Sequence, residues 1–385
     1  MLNFILRRLG YSLLVIFGVM LLTFALFNLA AGDPAAAALG KDAKPEEIEN
    51  FRRELGADLP LFYGHERRTE AFRLEDGVYR RQFPADDVHV RIISADGKVI
   101  DKPLDSRQNR LRVFGGGRAE FYRWNKNPFN SQFFRAFGEL AHFRKTFPYV
   151  EFFDFGRTIS TREPIRELLW NGVWASLALM IPVFFGELFF GMVLALVAVA
   201  FRDRWPDRVL VVASVCFMSV SYLVLIIGSQ WLFGYRLGWF PLWGFAGPRY
   251  LVLPILTGIL FGVGGNIRFF RTVFIDELGR EYLRTAVAKG ASPARVYGVH
   301  LLRNASLQII TKAGAGLPFL FTGSLLLESF FGIPGLGFVG VDALYNSDIQ
   351  LLKAVVVLSS ILFVVINFFT DLAYAWADPR VRVTR

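Results

Sequence analysis

The side chains that ordinarily do catalysis are sparse and scattered here. The four histidines, at 65, 89, 142 and 300, show no metal-ligand spacing, and Cys216 stands alone in an apolar run with no partner for a disulfide. No Gly-x-x-x-x-Gly-Lys-[Ser/Thr] loop offers a cradle for nucleotide phosphates, so the chain is expected to be no enzyme and to carry no cofactor of its own. One dense segment remains, Glu281-Tyr282-Leu283-Arg284-Thr285-Ala286-Val287-Ala288-Lys289-Gly290, followed by Ser292-Pro293 and then Arg303-Asn304-Ala305. Its pattern predicts two short helices. The first runs from about Asp276 to Lys289 and closes on Gly290 at the left-handed C′ position, and the second is capped by Ser292 with Pro293 at N1. Small residues at 286, 288 and 291 permit close backbone approach, so the chemistry on offer is docking into a groove on another protein. A DNA-reading helix-turn-helix and a solvated connector are the other readings of the same residues; the membrane runs on either side count against the first.

Three carboxylates lie within apolar runs, where an unpaired charge is costly. Glu187 lies deep in the second run and either lines a polar path through the bundle or pairs within it. Glu328, near one end of the fifth run, is a second path candidate, although pairing or an interface position suits it and Asp371 equally.

The elements that must position these residues are membrane spans. The 385 residues are 54% hydrophobic, with 40 Phe and 8 Trp, too apolar for an ordinary soluble domain of this length. Six runs approach the roughly 20 residues a bilayer core requires. They fall at about 9–31, 172–200, 209–234, 250–272, 307–331 and 351–376, with Pro182, Pro254 and Pro318 as expected kinks. The first run exceeds a signal-peptide core and is read as uncleaved. Arginine and lysine concentrate in the segments 1–8, 201–208, 273–306 and 377–385 and, as Arg268 and Arg271, at one end of the fourth run, while the opposite short loops hold only Arg236, Arg249 and Lys353. By the positive-inside rule both termini are expected in the cytoplasm.

Residues 32–171 then form a long outer insertion, charge-rich with both signs interleaved. Alternation over Val88–Ile92, the Asp96-Gly97 turn and Val99-Ile100 predict a β-hairpin. Gly115-Gly116-Gly117 marks a loop, and the aromatics between Phe121 and Phe155 either pack a modest core or lie on the membrane surface. Gly332–Gly337 is expected to be an outer turn leading to a short helix.

Glu281, Tyr282, Thr285, Ala286, Ala288, Lys289, Gly290, Arg303, Asn304 and Ala305 together resemble the cytoplasmic loop of permeases from bacterial binding-protein-dependent ABC importers, in the oligopeptide and dipeptide branch. Arg7-Arg8, Gly32-Asp33-Pro34, Asp154–Arg157, Pro334–Gly337 and Asp378-Pro379-Arg380 are similar to that branch in order and placement. The large outer insertion departs from most members and resembles the larger-loop peptide permeases. The resemblance implies an all-α polytopic protein of the type I importer permease fold, with an α+β periplasmic insertion. Its parts are 1–31, the insertion at 32–171 and a five-helix core at 172–385. It further implies a bacterial inner-membrane location, a second homologous permease, two ATP-binding subunits that bind ATP and Mg, and a periplasmic solute-binding protein, with lipid around the bundle and no nucleic acid. Coupling to the ATPases would fall to Glu281, Tyr282, Thr285, Ala286, Ala288, Lys289, Gly290, Ser292, Arg303 and Asn304. Peptides are the implied cargo. Permeases for nickel or glutathione, a secondary transporter and a membrane-anchored enzyme are the competing expectations.

Overall fold

The computed structural model describes residues 2–30, 47–48, 51–52, 56–64, 66–82, 89–94, 99–103, 109–114, 118–124, 127, 129–138, 141–143, 150–152, 155–159, 161–322 and 324–377. The first helix, α1, covers Leu2–Ala25 and widens into a π turn at Leu26–Ala30. Strands β1 (Glu66–Gln82), β2 (His89–Ser94), β3 (Val99–Pro103), β4 (Asn109–Phe114) and β5 (Arg118–Trp124) follow, then α2 (Gln132–Gly138) and a small hairpin of β6 (Ala141–Phe143) and β7 (Val150–Phe152).

The remaining chain is helical. It comprises α3 (Ile165–Ala200), α4 (Trp205–Ser219), α5 (Tyr222–Ser229, continuing as π to Arg236) and α6 (Pro248–Leu278). Next come α7 (Glu281–Ala288), α8 (Pro293–Arg295, continuing as π to Leu301), α9 (Leu302–Gly316) and α10 (Phe319–Thr322). The last three are α11 (Leu325–Phe331), α12 (Leu336–Tyr345) and α13 (Ile349–Ala377).

Two compact units emerge. One contains residues 20–162 and 347–353. Its sheet has the order β3-β2-β1-β5-β4, and every pair is antiparallel. The hairpin stretch is β2 on β3, pairing His89 with Pro103 and Ile93 with Val99; its Asp96-Gly97 turn and the Gly115–Gly117 loop lie outside the described residues. Around α2, Phe24, Phe62 and Phe133 meet edge-on or tilted with centroids 5.3 to 5.5 Å apart, the geometry ring quadrupoles favour. Phe24 is buried there, whereas Phe129 and Phe134 remain exposed, so this aromatic stretch supplies both a core and a surface.

The other unit contains residues 1–19, 163–346 and 354–385. Among the described residues, four helices are long and apolar enough to cross a bilayer singly: Ile5–Asn28, α3, α6 and Ile349–Leu372. At 36 residues α3 extends roughly 54 Å, well beyond a core of about 30 Å. Pro182 and Pro254 are carried inside α3 and α6. The third and fifth runs are not single unbroken helices; with each bent pair counted as one span, the described residues hold up to six spans. Val220 and Ser221 are both extended, at ψ 131° and 139°, so α4 and α5 meet at 96°. The fifth run divides at Leu317-Pro318 and again at the extended Ser324, and the pair with spanning character is α11 with α12, bent by 74° across the turn before Gly335.

The helices pack through two apolar cores that α3 traverses. Ala175, Leu179 and Val183 join Ile226, Leu253, Leu327, Phe331 and Ile333. Farther along, Ala195 and Val199 join Phe270, Val273 and Phe274 of α6 with Leu283, Val296, Leu301 and Ala305.

A two-faced coupling element and a polar cluster at membrane depth

The segment after α6 is built as a knob rather than a flexible connector. Arg280 is extended, at φ −78° and ψ 145°, so the helix expected from Asp276 is instead two, α6 ending at Leu278 and α7 starting at Glu281. Leu283 is buried in the same core as Phe270 and Phe274, and Ala286 is buried on the same side of the helix, which fixes one face of α7. The chain reverses on Gly290, whose φ of +81° is readily available only to glycine, while the Ala291 N–H donates to the Ala286 carbonyl at 3.1 Å. Ser292 occupies the N-cap position with Pro293 next, but its hydroxyl makes no cap bond. Its backbone carbonyl accepts instead from the N–H groups of Arg295 and Val296, at 3.0 and 2.9 Å.

The polar residues of this segment divide by role. The Tyr282 hydroxyl donates to Glu277 Oε2 at 2.8 Å, and Asn304 Nδ2 donates to the His300 carbonyl at 2.8 Å. Burial, reinforced by the Glu277 carboxylate, pushes the Tyr282 phenol up to about 12. The first bond ties the end of α6 to α7, and the second secures the start of α9 to the turn before it. Thr285 bonds back to the Glu281 carbonyl at 3.1 Å. Glu281, Ala288, Lys289 and Arg303 face outward, and so does Val287, 59% exposed, which the sequence reading did not single out. Ala286 points inward, so its small size serves the knob's own packing. An apolar Val287 held outward by a rigid, buried opposite face suits a protein groove.

A clamp that sequence reasoning missed steadies this region. Arg271 Nε and Nη2 donate to Asp207 Oδ1 and Oδ2, both at 2.8 Å, and the Asp203 N–H adds a third donor at 3.1 Å. Asp207 is 3% exposed, and the two-pronged geometry fixes α4 against the last third of α6. The available signal was one acid at the head of a helix among Arg202, Arg204 and Arg208.

Glu187 and Glu328 are in different surroundings. Glu187 stands about 33 Å from the start of α3 and about 20 Å from its end at 1.5 Å per residue, inside an apolar run. It is half-buried, with the Asn266 side chain in hydrogen-bond reach and Lys312 attracting it from α9. A Cβ at position 262 would collide with its carboxyl, so Gly262 supplies the slot it lies in. Glu328 is wholly buried, and its oxygens accept from Ser176 Oγ at 2.8 Å and from the N–H groups of Ser324, Gly337 and Phe338 at 3.2, 2.7 and 3.1 Å. It brackets the α11–α12 turn. Asp371 pairs with Arg8 at 2.6 Å, joining α13 to α1.

Residues 187–383 match the protein family described as binding-protein-dependent transport system inner membrane component, and residues 1–70 match the N-terminal region of such membrane components. The glutathione transport system permease protein GsiC of Escherichia coli (strain K12) is 27% identical over 382 residues, covering 99% of each chain. GsiC of Salmonella paratyphi A is 28% identical over the same length. A structure of the MetNI methionine ABC transporter in an inward-facing conformation covers 56% of this chain at 20% identity, with a TM-score of 0.49. With the family match spanning just over half its length, the chain belongs to these inner membrane components: it is a multi-pass, non-catalytic permease subunit of an ABC importer, working with a binding protein and with ATPase partners that hydrolyse the ATP.

Proposed function

We propose that this permease carries peptides or peptide-like solutes and that residues 281–304 are its docking and coupling element. The observation that carries the coupling reading is the two-faced α7, with Leu283 locked into the core of α3 and α6 and Ala286 buried, while Val287 and Lys289 face out. Force applied to the outer face reaches two long helices through packed side chains, as a rigid-body movement. In this arrangement two homologous permeases sit over two ATP-binding subunits that hold ATP and Mg. Both termini are cytoplasmic, and the insertion at 32–171 is periplasmic beneath the binding protein.

Peptide-like cargo is favoured over a bare metal cation by the charges at depth. Glu187 alone would attract nickel, but Lys312 beside it repels a dication. Glutathione, named for the relatives, is itself peptide-like and falls within the proposed class.

The test is assembly of the purified permease with its ATPase subunits and a peptide-loaded binding protein in vesicles. Gly290→Pro should insert normally yet lose uptake and binding-protein-stimulated ATPase activity by about tenfold or more, equivalent to ~1.4 kcal/mol of coupling. Proline holds φ near −65°, about 145° from the conformation found at 290. Unchanged uptake in this variant, or no stable association of the wild type with any ATPase, would sink the reading.

A further inference from the structure

We propose that Glu187 and Lys312 form an open ion pair that reads both ends of a zwitterionic cargo, the ammonium going to Glu187 and the carboxylate to Lys312. The inference rests on the peptide-cargo reading above and assigns chemistry to the same pathway. Charges at this depth are costly, so a purely structural pair would be expected to close. Asp207 and Arg271 do close, through two bonds at 2.8 Å. Glu187 and Lys312 attract one another but make no salt bridge within 4.0 Å; Lys312 Nζ lies instead over the Phe269 ring, 5.4 Å from its centroid. Both residues are only half-buried.

The backbone nearby is irregular. Tyr222, stacked on Phe261 at 4.1 Å, follows the α4–α5 break and feels the Glu187 charge. Broken helices at membrane depth are tolerated where protein covers them or where they line a water-filled cavity. A carboxylate in a glycine slot and an ammonium parked on an aromatic face, not closed on one another, complement an ammonium and a carboxylate on one solute.

Uptake of trialanine, N-acetyl-trialanine and trialanine amide into vesicles holding the whole transporter separates the roles. Affinity of each peptide for the binding protein is measured alongside, so that selection upstream is divided out. The wild type should transport free trialanine best. Glu187→Gln should lower trialanine uptake about tenfold, the scale of one charge-assisted contact, and abolish the penalty for N-acetylation while keeping that for the amide. Lys312→Gln should do the reverse. Gly262→Ala, which keeps both charges but displaces the carboxyl, should resemble Glu187→Gln. Assembly is checked by gel filtration of the complex. Wild-type peptide ratios retained in both charge variants would overturn the assignment. No wild-type uptake of any peptide would overturn the cargo reading beneath it, a result distinguishable from the first.

Discussion

Glu328 and Glu187 are both carboxylates in the helical unit, yet they show opposite accounting of hydrogen bonds. Glu328 spends its acceptor capacity on four donors from Ser176, Ser324, Gly337 and Phe338 and has no exposed surface. Glu187 has one amide in reach, one cation at a distance, and an accessible edge. A saturated carboxylate holds structure. One with spare acceptor sites, kept where burial is expensive, is available to a visitor.

Stability measurements can break that contrast. Glu328→Gln places an amide NH₂ against N–H donors, and removing one member of such a buried set should cost about 3–5 kcal/mol. The expected outcome is loss of monodisperse permease in detergent at growth temperature. Asp207→Asn should cost less, about 1–3 kcal/mol, because Arg271 is 27% exposed and water can replace part of its pairing. A thermal-shift series should rank it between the other two. Glu187→Gln should change stability by under about 1 kcal/mol while transport falls, because no saturated network is lost. If Glu187→Gln proved as destabilising as Glu328→Gln, the distinction between holding and waiting carboxylates would collapse.

Much of this was legible beforehand, and the exceptions share a cause. Apolar length found α1, α3, α6 and α13, and spacing around Gly290 and Pro293 found the reversal in the coupling element. Hydropathy could not see that α4 and α5 are separate, because Val220 and Ser221 interrupt helix geometry without interrupting apolar character. The same holds at Ser324, whereas Pro318 falls at the break between α9 and α10 and Pro182 and Pro254 are carried inside the continuous helices α3 and α6. Strand β1 escaped notice because Glu66–Gln82 is charge-rich with no clean alternation. Glu328 was visible as a buried charge but not as a bracket, since its donors are mostly backbone N–H groups that no residue pattern advertises. Val287 was hidden inside the motif that surrounds it.

The Asp207–Arg271 clamp has a consequence for how the protein is made. Its two halves are 64 residues apart in the chain, so during synthesis the carboxylate emerges well before the guanidinium that neutralises it. Helix α4, at 15 residues and roughly 22 Å, is too short to cross a core of about 30 Å by itself. A nascent α4 is therefore a poor lipid-soluble unit, and its release from the insertion machinery should wait for α6. Nascent chains cut short before residue 271 should stay crosslinkable to the translocation channel, and those extended past it should leave.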